Sequence, residues 1–286
     1  MSKPAGSPGG FSRFRIDFSY DGTDFAGWAK QPTLRTVQGE LLRALTQILG
    51  EDENDFGIRV AGRTDAGVHA LNQVCHLDLS PQQLKRAGRS GLTARRLQSL
   101  LSGEIVVFDV QPVSSDFDAR FSAIGRSYRY LIADQLSPRS PLTSRYELWV
   151  NAELDTDLMQ QGANQLVGLN DFAAFCKPRV GATTIRELRK LRVTRFADNI
   201  EVYLEADAFC HNQVRSIVGA LIAVGESKLS VTQLASILSE KKRVSSFKVV
   251  APHGLALTSV DYPSDDQLAA QAEKARKKRS HEEISV

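Results

Sequence analysis

Gly62-Arg-Thr-Asp-Ala-Gly-Val-His-Ala70 carries an acidic side chain, Asp65, on a turn between two glycines. The short apolar run at 58–61 precedes this turn, so the turn is predicted to leave the end of a strand. Glycine has no Cβ, and its presence on both sides lets backbone and substrate approach closely. Arg63 lies two residues before Asp65, and a nearby cation favours the ionised carboxylate. An ionised carboxylate on an open turn suits a nucleophile or a base.

The motif alone leaves a structural explanation open, because an aspartate in such a turn often only caps its own backbone amides. A phosphate-binding loop fits less well. Gly62 and Gly67 have the right spacing, but Val68-His69 stand where that loop needs Lys followed by Ser or Thr. On the sequence pattern by itself, Asp65 is therefore either a cap of its own backbone or a catalytic acid.

A metal site is a weaker alternative. His76 and Asp78 share one face of the predicted strand that follows the turn, whereas His69 is predicted to lie on the preceding loop. Metal sites need a compact set of ligands, and these three residues do not form one. We predict neither a metal nor an organic cofactor. A metal- or phosphate-dependent hydrolase that uses Asp65, His69 and His76 remains a competing hypothesis.

The periodicity of the chain predicts two successive sets of mostly antiparallel strands with helices packed on them, which is an α+β fold. Arg13 to Tyr20 alternate polar and apolar residues, as a half-buried strand does. Thr36 caps a helix that Gly50 ends, and Ser80-Pro-Gln-Gln83 is a capping box. Further strands are predicted at 74–79, 104–110, 126–133 and 254–261, a hairpin at 186–209 turning at Asp198-Asn199, and helices at 154–167, 212–224 and after Ser230.

We divide the chain into four segments on these patterns. A flexible lead covers residues 1–12, an N-terminal half with Asp65 covers 13–113, and a C-terminal half covers 114–263. A charged tail, either helical or disordered, covers 264–286.

Composition limits the class of protein. The chain has 286 residues, 42% hydrophobic and 24% charged, with a net charge of +3, which is ordinary for a globular protein. No apolar run reaches the length of a membrane span, and no signal peptide is visible. The three cysteines are far apart and lack a Cys-x-x-Cys pair. We therefore expect no disulfide framework and a reducing, cytoplasmic location.

Basic residues cluster in two segments. Residues 177–195 carry seven Lys or Arg and a single acid, Glu187, and residues 82–145 carry ten Lys or Arg against five acids. Such clusters favour a polyanionic partner, because contacts to phosphates release counterions. Solvated faces of strands and helices are the alternative that charge alone leaves open.

Two further residues draw attention. Tyr128 lies on a predicted strand with Arg126 and Tyr130 on the same face, and aromatic rings beside arginine can hold unpaired RNA bases. Tyr130 is predicted to be a core residue. Arg215 lies inside a strongly apolar helix, where a cation either extends to the surface or pairs with a partly buried carboxylate. The residues alone favour the surface.

The stretch from Gly62 to Ala70 resembles the signature of the bacterial tRNA pseudouridine synthase A family. Five other stretches resemble motifs of the same family in the same order, so the likeness covers residues 13–262. They are Tyr20-Asp-Gly-Thr-Asp-Phe-Ala-Gly-Trp28, Thr36-Val-Gln-Gly-Glu-Leu41, Asp116-Phe-Asp-Ala-Arg-Phe-Ser-Ala123 leading to Tyr128-Arg-Tyr130, and the segments Ala208–Gly219 and Ala251–Leu255.

The resemblance implies isomerisation of uridine to pseudouridine in the anticodon stem-loop of tRNA, at positions 38–40, without a cofactor. It also implies a homodimer and a fold of two ferredoxin-like halves whose sheets join across a basic cleft. Asp65 corresponds to the nucleophile, Arg63 to an arginine that helps to flip the base, and Tyr128 to a tyrosine that stacks on it. Arg215 corresponds to an arginine that pairs with the catalytic carboxylate, which reverses the interpretation from the residues alone. We expect further RNA contacts from Lys30, His69, Arg120, Arg126 and Arg129.

A non-catalytic RNA-binding module is a second hypothesis. It does not explain Asp65, because an acid adds nothing to phosphate binding.

Overall fold

The computed structural model describes residues 10–50, 56–179, 181–242, 244–277 and 279–285. Most of the predicted lead over 1–12 lies outside the described residues. The strands are β1 (Ser12–Tyr20), β2 (Arg59–Val60), β3 (His69–Leu79), β4 (Ile105–Val113), β5 (Gly125–Ala133), β6 (Leu148–Trp149), β7 (Gly168–Asp171), β8 (Ile185–Arg195), β9 (Ile200–Ala206) and β10 (Leu255–Asp261). The α-helices are α1 (Val37–Leu49), α2 (Pro81–Arg86), α3 (Ala94–Gln98), α4 (Thr156–Asn164), α5 (Gln213–Gly225), α6 (Val231–Glu240) and α7 (Leu268–Arg276).

The chain forms two compact units. The first contains Met1–Ile124 and Leu257–Arg276, and the second contains Gly125–Ala256 and Lys277–Val286. Each unit has mainly antiparallel strands and its own helices, so the α+β prediction is confirmed.

In the first unit the strand order is β4–β1–β3–β10, with β2 paired to β3. The alternation predicted for β1 is present, because Ile16, Phe18 and Tyr20 are buried. The α1 helix begins and ends as predicted: the Thr36 side chain accepts a hydrogen bond from the Gly39 amide, and Gly50 adopts a left-handed conformation. These elements bury one apolar face of the sheet, which leaves its loops free to present polar groups.

In the second unit the order is β5–β9–β8–β7, and β6 pairs with β5 in parallel. The predicted hairpin is present, as the chain turns between β8 and β9 with the Phe196 amide bonded to the Asn199 carbonyl. Ser230 and Gln233 form a capping box at the start of α6. The α5 helix is buried over almost its whole length, so it forms the centre of this unit.

Two sequence expectations about boundaries are wrong. His69 lies not on a loop but at the first position of β3, where its side chain is buried. The helix predicted over 154–167 is shorter, because the Asp155 side chain caps the amides of Asp157 and Leu158 and starts α4 at Thr156. The chain then leaves the helix after Asn164 and reaches β7 through Gly168, whose φ of 113° a helix does not allow.

The cysteine spacing indicates no disulfide framework, but Cys176 and Cys210 are joined by a single disulfide, with their Cα atoms 5.8 Å apart. The two cysteines are 34 residues apart, and the β8–β9 hairpin brings them together. Cys75 stays a buried free thiol, and burial raises its pKa.

The charged tail is helical in part. Leu268 and Ala272 of α7 are buried in the first unit, and the Ser122 hydroxyl donates to the Leu268 carbonyl at 3.2 Å. No helix among the described residues is long and apolar enough to cross a bilayer. The longest, α1 and α5, have 13 residues each.

Candidate active site

The Asp65 loop connects β2 to β3 in the first unit. Asp65 is half-buried, and the neighbouring Arg63 is exposed. The Ala61 amide bonds to the Val74 carbonyl at 2.8 Å, and the Val68 amide bonds to the Asp65 carbonyl at 3.2 Å. The loop is therefore fixed at both ends, and Asp65 on it is only partly buried.

A second loop, residues 21–28, lies directly against the Asp65 loop. The Trp28 amide donates to the Thr64 carbonyl at 3.1 Å, and the Gly67 amide donates to the Phe25 carbonyl at 3.3 Å. A Cβ on Gly22 would lie 2.0 Å from the Val68 carbonyl oxygen, and one on Gly27 would lie 2.9 Å from the Thr64 carbonyl oxygen. Only glycine allows the two backbones to approach this closely.

A buried set of hydrogen bonds supports the loop from beneath. The Gln73 side-chain amide donates to the Gly62 carbonyl at 2.9 Å and to the Tyr20 hydroxyl at 3.2 Å. The Tyr20 hydroxyl in turn lies 2.8 Å from the Thr64 hydroxyl. Tyr20, Thr64 and Gln73 are all buried, so water does not compete for these bonds. The three side chains hold the backbone on the N-terminal side of Asp65.

His69 belongs to the same support. Its Nδ1 atom accepts the Gly22 amide at 3.0 Å, and the Asp21 carboxylate lies 3.1 Å from that atom. The imidazole thus anchors the 21–28 loop to the start of β3.

The other residues considered for a metal or hydrolase site are engaged elsewhere. His76 is buried and accepts the Ala119 amide at 2.9 Å, and burial together with Arg13 lowers its pKa to about 4. Asp78 forms two hydrogen bonds of 2.7 Å with the Arg13 guanidinium, which hold the pKa of that carboxyl below its usual range. His76 and Asp78 serve the packing of the first unit.

In the second unit, Tyr128 lies on β5 with Arg126 and Tyr130 on the same face, as alternation predicts. The Tyr128 ring is nearly buried and meets the Phe209 ring edge-on, with centroids 5.2 Å apart. Tyr130 is fully buried and donates to the Ala251 carbonyl at 2.7 Å, so its assignment to the core is confirmed. Of Tyr128 and Tyr130, Tyr128 lies nearer the surface.

Arg215 lies in the first turn of α5 and is half-buried. Its Nε donates to the Val250 carbonyl at 2.8 Å. The segment around Val250 runs close to α5, because a Cβ on Gly219 would lie 1.9 Å from the Lys248 carbonyl oxygen. This contact holds the guanidinium in one direction.

The remaining basic residues occupy several elements. In the first unit Lys30 is exposed beside the 21–28 loop, and Arg120 is exposed with its guanidinium 5.0 Å from the Phe121 ring centroid. In the second unit Arg126 is buried on β5, and Arg129 is half-exposed on the opposite face of that strand.

Sequence reasoning missed the support of the Asp65 loop. Tyr20, Gly22 and Gly27 belong to a stretch that carries the family resemblance, so the sequence did indicate that this stretch is important. No sequence feature indicated Gln73, because nothing local distinguishes it from any polar residue in an alternating strand.

Asp65 thus lies partly exposed on a fixed loop, and Arg63 and Arg120 are exposed in the same unit, an arrangement that suits an enzyme acting on a polyanionic substrate. The sequence model of one family, described as tRNA pseudouridine synthase, matches residues 18–122 and 163–263. The chain belongs to this tRNA pseudouridine synthase family.

Individual relatives agree with that assignment. The chain is 46% identical to tRNA pseudouridine synthase A of Cutibacterium acnes, over 96% of this chain and 97% of the relative. It is 45% identical to the protein of that name from Leifsonia xyli (93% and 96% covered) and 43% identical to that from Mycobacterium leprae (94% and 96% covered). A chain in the crystal structure of a Cbf5-Nop10-Gar1 complex is 11% identical with a TM-score of 0.36, covering 88% of this chain and 49% of that one, a similarity too weak to add to the assignment.

Proposed function

We propose that this protein isomerises uridine to pseudouridine in tRNA, in the anticodon stem-loop at positions 38–40, with Asp65 as the catalytic nucleophile. The observation that carries the proposal is the position of Asp65. Asp65 is partly exposed on a loop that a second loop, two glycines and a buried hydrogen-bond set hold in place. Family membership supplies the reaction.

The chemistry suits a carboxylate. The bond between C1′ of the ribose and N1 of uracil breaks, the uracil turns in place, C1′ bonds to C5, and the proton on C5 is lost while N1 gains one. Substrate and product have the same atoms, so the reaction consumes no co-reactant. A carboxylate either bonds to C1′ or stabilises the positive charge that develops there. Holding it rigidly keeps it aligned while the base turns.

Three other residues take roles in the proposal by their match to the family. Arg63 assists the exit of the base from its stack, which costs a few kcal/mol. Tyr128 stacks on the uracil and is a candidate to remove the C5 proton. Arg215 pairs with the catalytic carboxylate. The exposure of Arg63 and the fixed direction of Arg215 support these roles.

Lys30, Arg120 and Arg129 are exposed or half-exposed and have the charge to contact tRNA phosphates. Arg126 and His69 are buried, so any contact they make with RNA is confined to the few atoms that reach the surface. We further propose a cytoplasmic location and a homodimer, and sedimentation equilibrium of the purified protein tests the dimer.

The function is tested with tRNA transcripts that carry tritium at C5 of uridine, because formation of the C1′–C5 bond releases that tritium to water. We expect release from a transcript with uridine at positions 38–40. A matched transcript with cytidine at those positions, and labelled uridine elsewhere, should release none. Release from neither transcript across several tRNAs would refute the proposed function, and equal release from both would refute the proposed positions.

A chelator separates the proposal from the hydrolase hypothesis. We expect tritium release to be unchanged when EDTA is added and Mg²⁺ is replaced by spermidine to keep the tRNA folded. The hydrolase hypothesis predicts that the chelator abolishes turnover.

A further inference from the structure

The charged tail places an arginine, Arg279, in the second unit at a point where two other arginines meet. Its Nη1 atom lies 2.6 Å from the Asp207 carboxylate. Asp207 follows β9 directly, and its other carboxylate oxygen accepts the Glu187 amide at 2.9 Å. The carboxylate is therefore held beside the first residues of β8, and it forms an ion pair with Arg279.

The two other arginines are Arg126 and Arg186. The Arg126 guanidinium donates to the Asp207 carbonyl at 3.0 Å. The Arg186 guanidinium donates to the carbonyls of Ile185 and Thr183 at 2.6 and 2.8 Å, while its Nε is buried without a hydrogen-bond partner. Burial lowers the pKa of Arg186, Asp207 opposes that shift, and the positive charges of Arg279 and Arg126 add to it.

This arginine cluster (Arg126, Arg186 and Arg279) has more positive than negative charge. Asp207 lies within it, and Glu283 lies at its rim, 3.7 Å from Nε of Arg279 and about half exposed. Three guanidinium groups thus face two carboxylates, one of which is screened by water. An oxyanion would relieve this surplus and would match the paired N–H groups of a guanidinium. The Arg279 side chain is 26% exposed, so such an anion can reach it.

The position of the cluster relates it to the substrate. Arg126 and Tyr128 lie two residues apart on the same face of β5, which places their Cα atoms about 7 Å apart. Tyr128 is the residue proposed to stack on the target uracil. Because Arg126 lies about 7 Å from Tyr128, the cluster can reach a phosphate close to the target nucleotide.

We propose that Arg279, with Arg186 and Arg126, forms a binding site for a backbone phosphate of the tRNA, and that the C-terminal tail is thereby part of the substrate-binding surface. This inference rests on the proposed function for the identity of the substrate. A phosphate contact away from the reacting atoms contributes equally to the bound substrate and to the transition state. Loss of Arg279 should therefore raise KM and leave kcat unchanged.

The test compares Arg279→Gln with Lys274→Gln in the full-length protein. Lys274 is exposed on α7, in the same tail, and its replacement removes the same charge. Binding of a labelled tRNA transcript is measured between 50 and 200 mM salt, and KM and kcat are obtained from tritium release. We expect Arg279→Gln to weaken binding and raise KM about 10-fold, the effect of one charged hydrogen bond. The plot of log K against log salt should become shallower by about 0.9, for one phosphate contact.

Lys274→Gln should change the affinity by less than about two-fold and the slope by less than about 0.2, because it removes a charge that lies away from the proposed phosphate site. Arg279→Lys, which keeps the charge but loses the planar fork, should fall between wild type and Arg279→Gln. Thermal melting of all variants shows whether they are folded.

An unchanged salt slope and KM for Arg279→Gln would overturn the inference, and so would an equal loss in Lys274→Gln. Both are distinct from a failure of the proposed function, in which the wild-type protein itself releases no tritium.

Discussion

Gly27→Ala is expected to impair catalysis by moving the Asp65 loop. Gly27 has a φ of 93°, and a Cβ at this position would lie 2.9 Å from the Thr64 carbonyl oxygen, 3.1 Å from the Ala66 amide nitrogen and 3.2 Å from the Asp65 carbonyl carbon. Ordinary contacts of a Cβ begin at 3.4 Å. All three neighbours are backbone atoms and cannot rotate away, so the loop must shift by about half an ångström.

The size of the effect follows from that shift. Catalytic groups need to be held within about 0.5 Å of their productive position, and a misplacement of 1 Å costs about 100-fold in rate. We therefore expect kcat to fall about 10-fold and KM to change less, because Arg120 and Arg129 lie outside the two loops. The positive φ at an alanine should also lower the free energy of unfolding by about 1–3 kcal/mol.

Tritium release under saturating tRNA measures kcat, and chemical denaturation measures stability. Gly88→Ala is the matched control, because Gly88 has a φ of 70° but no atom within 4 Å of its Cβ position. It should lose stability and keep its kcat. A folded Gly27→Ala protein with wild-type kcat would show that Gly27 does not position the Asp65 loop, and an equal loss of kcat in Gly88→Ala would show that the loss is not specific to that loop.

Two further predictions concern stability. The Asp134 carboxylate is fully buried; burial alone would raise its pKa, but the Arg195 guanidinium and nearby hydrogen-bond donors lower it below its ordinary value. A carboxyl whose pKa is lowered by folding stabilises the fold at any pH above its pKa in the unfolded chain, about 3.9. This stabilisation is lost as the pH falls through the pKa of the folded state, so the free energy of unfolding should decrease below about pH 4. Asp134→Asn should cost about 2 kcal/mol at pH 7 and flatten this decrease; identical pH profiles would contradict the account. For the Cys176–Cys210 disulfide, alkylation of the denatured, unreduced protein should label only Cys75, and Cys176→Ser should cost about 2–4 kcal/mol; labelling of three thiols would contradict the disulfide.

Local sequence signals predicted most of the elements. Alternation located β1, the side chains of Thr36, Ser80 and Ser230 located three helix starts, and Asp198-Asn199 located the hairpin turn. These signals work because a cap or a turn satisfies its own backbone groups within a few residues.

The errors arose where distant parts of the chain decide the outcome. His69 extends β3 because its imidazole bonds to the 21–28 loop, which is 47 residues away. The pairing of Cys176 with Cys210 depends on the β8–β9 hairpin. The close approach of Gly27 to the Asp65 loop depends on how two loops pack. Spacing along the chain contains none of these distances.

The candidate site was predictable in its residues but not in its support. Asp65 stood out as a carboxylate between glycines, and the family resemblance supplied a role for it. What makes the loop rigid, the bonds from Gln73 and Tyr20 to Gly62 and Thr64, depends on side chains from β1 and β3 that meet only in the folded unit.

The catalytic role of Asp65 is tested most directly by the rate of tritium release by Asp65→Asn, with tRNA affinity measured in parallel. Asparagine keeps the size of the side chain and removes its charge, so the loop should stay intact. Asp198→Asn, an exposed aspartate in the β8–β9 turn, is the control. We predict that Asp65→Asn releases no tritium while binding tRNA within a few-fold of wild type, and that Asp198→Asn matches wild type in both. Release by Asp65→Asn at the wild-type rate would contradict the assignment of Asp65 as the catalytic carboxylate.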